Sequence, residues 1–172
     1  MKFCETKNML NQLVADLSVF SVRIHQVHWY MRGSDFLSLP PKMDDLMDQI
    51  DDQLDVISER LITLDGSPCS TLQEFFTISK LKEEKGSWDT CIKEQIDYLL
   101  EGYDYLIAAY EEGIDIAGKE GDNCTEDIFI GSKAELEKMV WMLQAELSKS
   151  SNLDNRDNML NACIITILGN SF

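Results

Sequence analysis

Only three prolines stand in the chain, at Pro40, Pro41 and Pro68. Proline lacks the amide donor that a helix needs and clashes with the preceding turn, so helix interiors avoid it. Residues 1–39 and 69–172 contain none. Apolar residues recur there every three or four positions, the period of a helix buried along one face. Leu10, Leu13, Leu17, Phe20, Ile24, Val27 and Met31 form one such stripe and predict a helix from about Lys7 to Arg32. Ala15, Val19, Val22 and Trp29 add a second apolar face, which points to a subunit contact beside the core.

A second helix is expected from Pro40–Pro41, where proline suits a first turn, to near Gly66. Met43, Leu46, Ile50, Leu54, Ile57 and Leu61 lie on its apolar side. Thr71 and Glu74 have the spacing of a capping box for a short helix, Thr71 to Ser79. A third long helix is predicted from Trp88 to Gly118, capped by Ser87. A fourth is predicted from Thr125, as its cap, to Leu147. A polar link then leads to a short amphipathic tail, Met159 to Leu168. The expected fold is all-α: a four-helix bundle with a short extra helix between helices two and three and a C-terminal helical tail. Residues 1–149 are read as the domain and 150–172 as an extension.

Lys and Arg number 15 against 31 Asp and Glu, a formal charge of −16. That balance argues against a constitutive nucleic-acid binder, which needs a basic footprint, and favours cations as partners. The five Cys include no C-x-x-C pair, and with two His they exclude a zinc finger. Scattered single thiols fit a reducing compartment. No apolar run approaches bilayer length and the N-terminus has no signal-like apolar region, so a cytoplasmic protein with no membrane partner is expected.

The most informative stretch carries Asp44, Asp45, Asp48, Asp51, Asp52, Asp55 and Glu59, with no basic residue before Arg60. At helical spacing these acids fall in a sector about 120° wide, away from the apolar stripe. Like charges so placed repel one another. A solvated face is one reading; bound cations or a shared acidic lumen is the other. Asp55 and Glu59, one turn apart, can reach one metal ion. Oxygen ligands joined by an imidazole from His25 or His28 tilt the choice toward iron. No E-x-x-H motif occurs, so a di-iron site inside a single bundle is excluded.

The run His25-Gln26-Val27-His28-Trp29-Tyr30-Met31-Arg32-Gly33, followed by Phe36, Asp44, Asp55, Ser58-Glu59-Arg60 and Gly66-Ser67-Pro68, resembles the Dps family, the mini-ferritins, in its Gram-positive branch. The likeness extends from about Asn8 to Leu147. It implies a bundle assembled into a hollow homododecamer that oxidises Fe(II), typically with hydrogen peroxide, and stores ferric mineral; some members also bind DNA. It further implies a ferroxidase centre at a two-fold interface, with His28 and Asp44 from one subunit and Asp55 and Glu59 from its mate. Helix geometry agrees with that split, since Asp44 and Asp55 are about 16 Å apart along one helix. By the same resemblance Trp29 is an aromatic neighbour of the centre, a sink for oxidising equivalents. Asp122, Glu126 and Asp127 match acids that line a three-fold pore. A first-turn interaction with the helix dipole is the other reading of those three. Asp48, Asp51 and Asp52 are expected to face the lumen and nucleate ferric oxide.

The chain departs from the family pattern at one point. The family has a second ferroxidase histidine four residues before the aspartate matching Asp44, and this chain has Pro40 there. The expected function is iron binding and storage that protects against iron and peroxide damage, with Fe(II) oxidation weakened by Pro40. A DNA-protecting protein with little ferroxidase activity is the alternative, and a cage that buffers divalent ions is a third. DNA contact is expected to be weak and to run through the N-terminal residues, which include Lys2 and Lys7.

Overall fold

The computed structural model describes residues 2–32 and 39–151, and these form five helices and no strand. They are α1 (Cys4–Tyr30), α2 (Leu39–Thr63), the short α3 (Leu72–Ile78), α4 (Ile92–Glu120) and α5 (Asn123–Glu146). The four long helices make the bundle. α1 packs on α2 and α4, α4 packs on α5, and α3 lies along α1. The predicted tail at 159–168, and Gly33 and Phe36 of the motif, lie outside the described residues.

The apolar stripes of the first two helices are buried as predicted, among them Leu10, Leu13, Leu17, Phe20, Ile24, Ile50 and Ile57, and they share the core with Leu99, Tyr103, Leu106 and Phe129. Each such side chain contributes about 1.5–3 kcal/mol relative to leaving it in water. Close approach sets one register: the Phe20 ring meets the Tyr103 ring edge-on, with centroids 4.7 Å apart. A Cβ on Gly102 would stand 2.3 Å from Phe20 Cε2, so glycine lets α1 and α4 come together there.

Helix ends differ from the prediction for identifiable reasons. α1 starts before Lys7 because the Glu120 carboxylate, at the far end of α4, accepts from the Glu5 and Thr6 amides. A cap supplied from 115 residues away leaves no local signature. α4 starts at Ile92 rather than Trp88: the Cys91 amide donates to Glu94, while Ser87 Oγ accepts from Asp89 in a turn. Trp88 instead packs its ring on Tyr30, with Arg32 above it. α5 is capped by Asp122 rather than Thr125, whose amide donates to the Asp122 carboxylate. α3 follows the prediction, with the Thr71–Glu74 capping box formed in both directions.

Residues 79–91 connect α3 to α4 without regular structure at their start, and a row of polar side chains on α1 holds them. Gln12 donates to the Ile78 carbonyl, Arg23 to the Lys82 carbonyl and Gln26 to the Glu84 carbonyl. Asp16, fully buried, accepts from Ser79 Oγ, the Lys80 amide, Gln12 and Tyr105 OH. The Tyr105 hydroxyl is held far above its usual titration range, by burial first and by the Asp16 carboxylate second. Burial likewise lowers the Arg23 guanidinium, which stacks on the Tyr98 ring.

Candidate metal centre

α1 and α2 run antiparallel, and polar rungs cross their outer seam. Ser21 Oγ donates to Asp51 Oδ1 at 3.0 Å. Seven residues further along α1, His28 Nδ1 lies 3.4 Å from Asp44 Oδ1, seven residues back along α2. That ring nitrogen is buried and makes no hydrogen bond. The imidazole therefore faces a carboxylate without a hydrogen bond to it, and a buried polar atom without a partner is costly.

Asp55 and Glu59 are exposed on the same helix, beyond Asp51. Among the described residues no three His, Cys, Asp or Glu of one chain converge on a metal position. The residues stand as two pairs, His28 with Asp44 and Asp55 with Glu59, separated along α2. Asp48, Asp51 and Asp52 are exposed between the pairs. Lys42, the basic residue next to this stretch, is engaged by Glu146. Trp29 is 62% exposed beside His28, and its indole meets the His25 ring edge-on with centroids 5.5 Å apart. His25 Nδ1 lies 2.9 Å from the Ser21 carbonyl.

The three acids expected at a pore divide. Asp122 is only 3% exposed and binds Arg60 Nη2 at 2.6 Å and Thr125 Oγ1 at 2.5 Å. Its carboxylate joins the end of α2 to the start of α5, so the pore reading of Asp122 is replaced by a structural one. Glu126 is half-buried against Gly118, and Asp127 is exposed. Ser21 is the seam residue that sequence reasoning missed, because a helical serine carries no signal of its partner. Cys69 is buried and its thiol is raised by that burial, while Cys4, Cys91 and Cys124 are exposed free thiols.

The exposed apolar side chains include Val22 and Trp29 on α1, Val56 and Ile62 on α2, and Leu72 and Phe76 on α3. No helix among the described residues is long and apolar enough to cross a membrane.

The sequence profile of the ferritin-like domain matches residues 7–153. The chain is 51% identical over 149 residues to the DNA protection during starvation protein of Streptococcus suis, covering 87% of each. Its fold is similar to that of Dps from Listeria monocytogenes, with a TM-score of 0.83 at 42% identity, covering 85% of this chain and 95% of that one. It is equally similar to a Listeria innocua Dps variant in which two histidines, twelve positions apart, are replaced by glycine: TM-score 0.83, 40% identity, 85% and 96% coverage. With the seam histidine, the acidic second helix, the bundle and these relatives in agreement, the chain belongs to the Dps family of ferritin-like proteins.

Proposed function

We propose that this chain takes up Fe(II) at a centre shared between two copies, oxidises it slowly, and stores the ferric product against the acidic face of α2. The His28–Asp44 pair carries the reading. Two ligands bonded to one metal at about 2.1 Å lie about 3.0–3.4 Å from each other, and His28 Nδ1 stands 3.4 Å from Asp44 Oδ1 without a hydrogen bond. Asp55 and Glu59 of the second copy complete the set. One imidazole with three carboxylates suits Fe(II). Oxidation by hydrogen peroxide draws one electron from each of two Fe(II) ions, and removing both reagents is what protects the cell. The exposed apolar residues of α1, α2 and α3 support assembly into a closed homo-oligomer, a dodecamer in this reading, housed in the cytoplasm. Asp48, Asp51 and Asp52 then face the lumen as nucleation sites, with Glu126 and Asp127 near an entry pore.

The two histidines replaced in the Listeria innocua variant have the separation of His28 and Pro40 here. Proline brings no donor, so the second metal position is weak and the chain favours storage over rapid oxidation. The test is anaerobic Fe(II) titration followed by peroxide, with particle mass followed by light scattering. Asp55→Ala with Glu59→Ala is expected to abolish tight Fe(II) binding while the particle stays intact. Equal binding by an intact particle would refute the shared centre.

The similarity to the DNA protection during starvation protein of Streptococcus suis favours a second reading, protection of DNA by direct contact. The net charge of −16 opposes it at long range. A gel-shift titration separates the two: binding confined to low salt supports the iron reading, and binding that persists at physiological salt and is lost with the first seven residues supports the other.

A further inference from the structure

We infer that His25 and Asp48 of one chain form a second metal position, one rung along the α1–α2 seam from His28 and Asp44, for a divalent ion that accepts both imidazole nitrogen and carboxylate oxygen. The ions of that class are Fe(II), Co(II) and Zn(II). Use of the position for iron rests on the reading above; the binding itself does not.

Three observations converge. The first is the tautomer. His25 Nδ1 lies 2.9 Å from the Ser21 carbonyl. A carbonyl oxygen can only accept, so Nδ1 carries the proton and Nε2 carries the lone pair. Metal-binding histidines are commonly oriented in this way, by donating their other nitrogen to a backbone carbonyl. The Trp29 indole, edge-on to the ring, further restricts its rotation.

The second is the register. Ser21–Asp51 and His28–Asp44 fix the seam at two rungs, seven residues apart on both helices. His25 lies between Ser21 and His28 on α1, and Asp48 lies between Asp44 and Asp51 on α2. The three α1 residues follow i, i+4, i+7, as do the three α2 residues, so each set shares one face. His25 and Asp48 are the middle rung.

The third is charge. Asp48 is exposed on a helix face of like charges, and among the described residues no Lys or Arg pairs with it. A divalent ion would relieve that repulsion. Two protein ligands leave the other coordination positions to water, so this site binds more loosely than a closed four-ligand centre. An ion held there stands between the shared centre and the exposed acids Asp51 and Asp52.

Cobalt(II) is the probe, because its visible absorption reports on its ligands. In the assembled particle, His25→Ala and Asp48→Asn are each expected to lose one Co(II) per chain and to keep the component that depends on His28. With Trp88→Phe and Trp141→Phe as background, Co(II) is expected to quench Trp29 fluorescence in a His25-dependent way. Unchanged stoichiometry and quenching in His25→Ala would overturn the inference. A crystal of the unaltered protein soaked in Co(II) decides independently of any variant. An anomalous peak about 2.1 Å from His25 Nε2 supports the site. A peak at His28 with none at His25 overturns it and leaves the shared centre standing; a peak at His25 with none at His28 does the reverse.

Discussion

At residue 102 a methyl group would stand 2.3 Å from one Phe20 ring carbon and 2.9 Å from an Arg23 nitrogen. Gly102→Ala is therefore expected to lower unfolding stability by about 1–3 kcal/mol, the cost of overpacking a closed core, despite alanine's better helix propensity. A urea midpoint checks it. Position 40 works in the opposite sense. Pro40→His restores an imidazole, and a several-fold faster Fe(II) oxidation in stopped-flow absorbance is the expected result; no gain would mean that another feature limits the rate. Single residues were unevenly legible. Asp55 and Glu59 stand out by their one-turn spacing, whereas His28 and Asp44 are singled out by the resemblance of the surrounding motif. Asp16 and Arg23 carry no local signal of burial, yet both are buried, since the carbonyls and amides that satisfy them belong to a segment more than 50 residues away. Asp122 looked like a pore acid because an acid at a helix start reads the same whether it faces water or an arginine of another helix.

Among the elements, the start of α1 depends on Glu120. The Thr6 amide leads the interactions that hold this carboxyl below its ordinary value of 4.5. A lowered folded-state value means that the ionised form favours the folded state. The contribution is present above about pH 4.5 and is lost as pH falls through the lower folded value. Hydrogen exchange of residues 4–8, taken relative to the intrinsic amide rate at each pH, is therefore expected to speed up in acid. In Glu120→Gln it should already be faster at neutral pH and respond less to acid; identical profiles would show that the carboxylate does not hold this end. Helix identity was readable from the apolar period alone. Helix ends were readable only where the cap was local, as at Thr71 and Glu74, and not where the acceptor came from another helix.

For the whole molecule, α3 is the most exposed apolar element: Leu72 is 82% exposed and Phe76 68%. None of its residues is buried within one chain. Leu72→Asp with Phe76→Asp is expected to yield a smaller species in light scattering while circular dichroism keeps its helical signal. An unchanged particle mass would mean that α3 does not contribute to assembly. The bundle was legible in the sequence because each stripe needs a partner stripe. The use of the outer faces was less so, because an apolar residue facing a second copy follows the same period as one facing the core.

The irregular segment after α3 also acts as a measure of length. Its attachment points on α1, from Gln12 to Gln26, span about 21 Å of helix rise. The backbone they hold, from residue 78 to 84, reaches about 20 Å when nearly fully extended. The two lengths match with almost no slack. A one-residue deletion between 79 and 83 could not reach all four attachment points, and an insertion would have to bulge away from a buried carboxylate or a buried guanidinium. This segment lacks regular structure, yet its residue count is as constrained as that of any helix in the bundle.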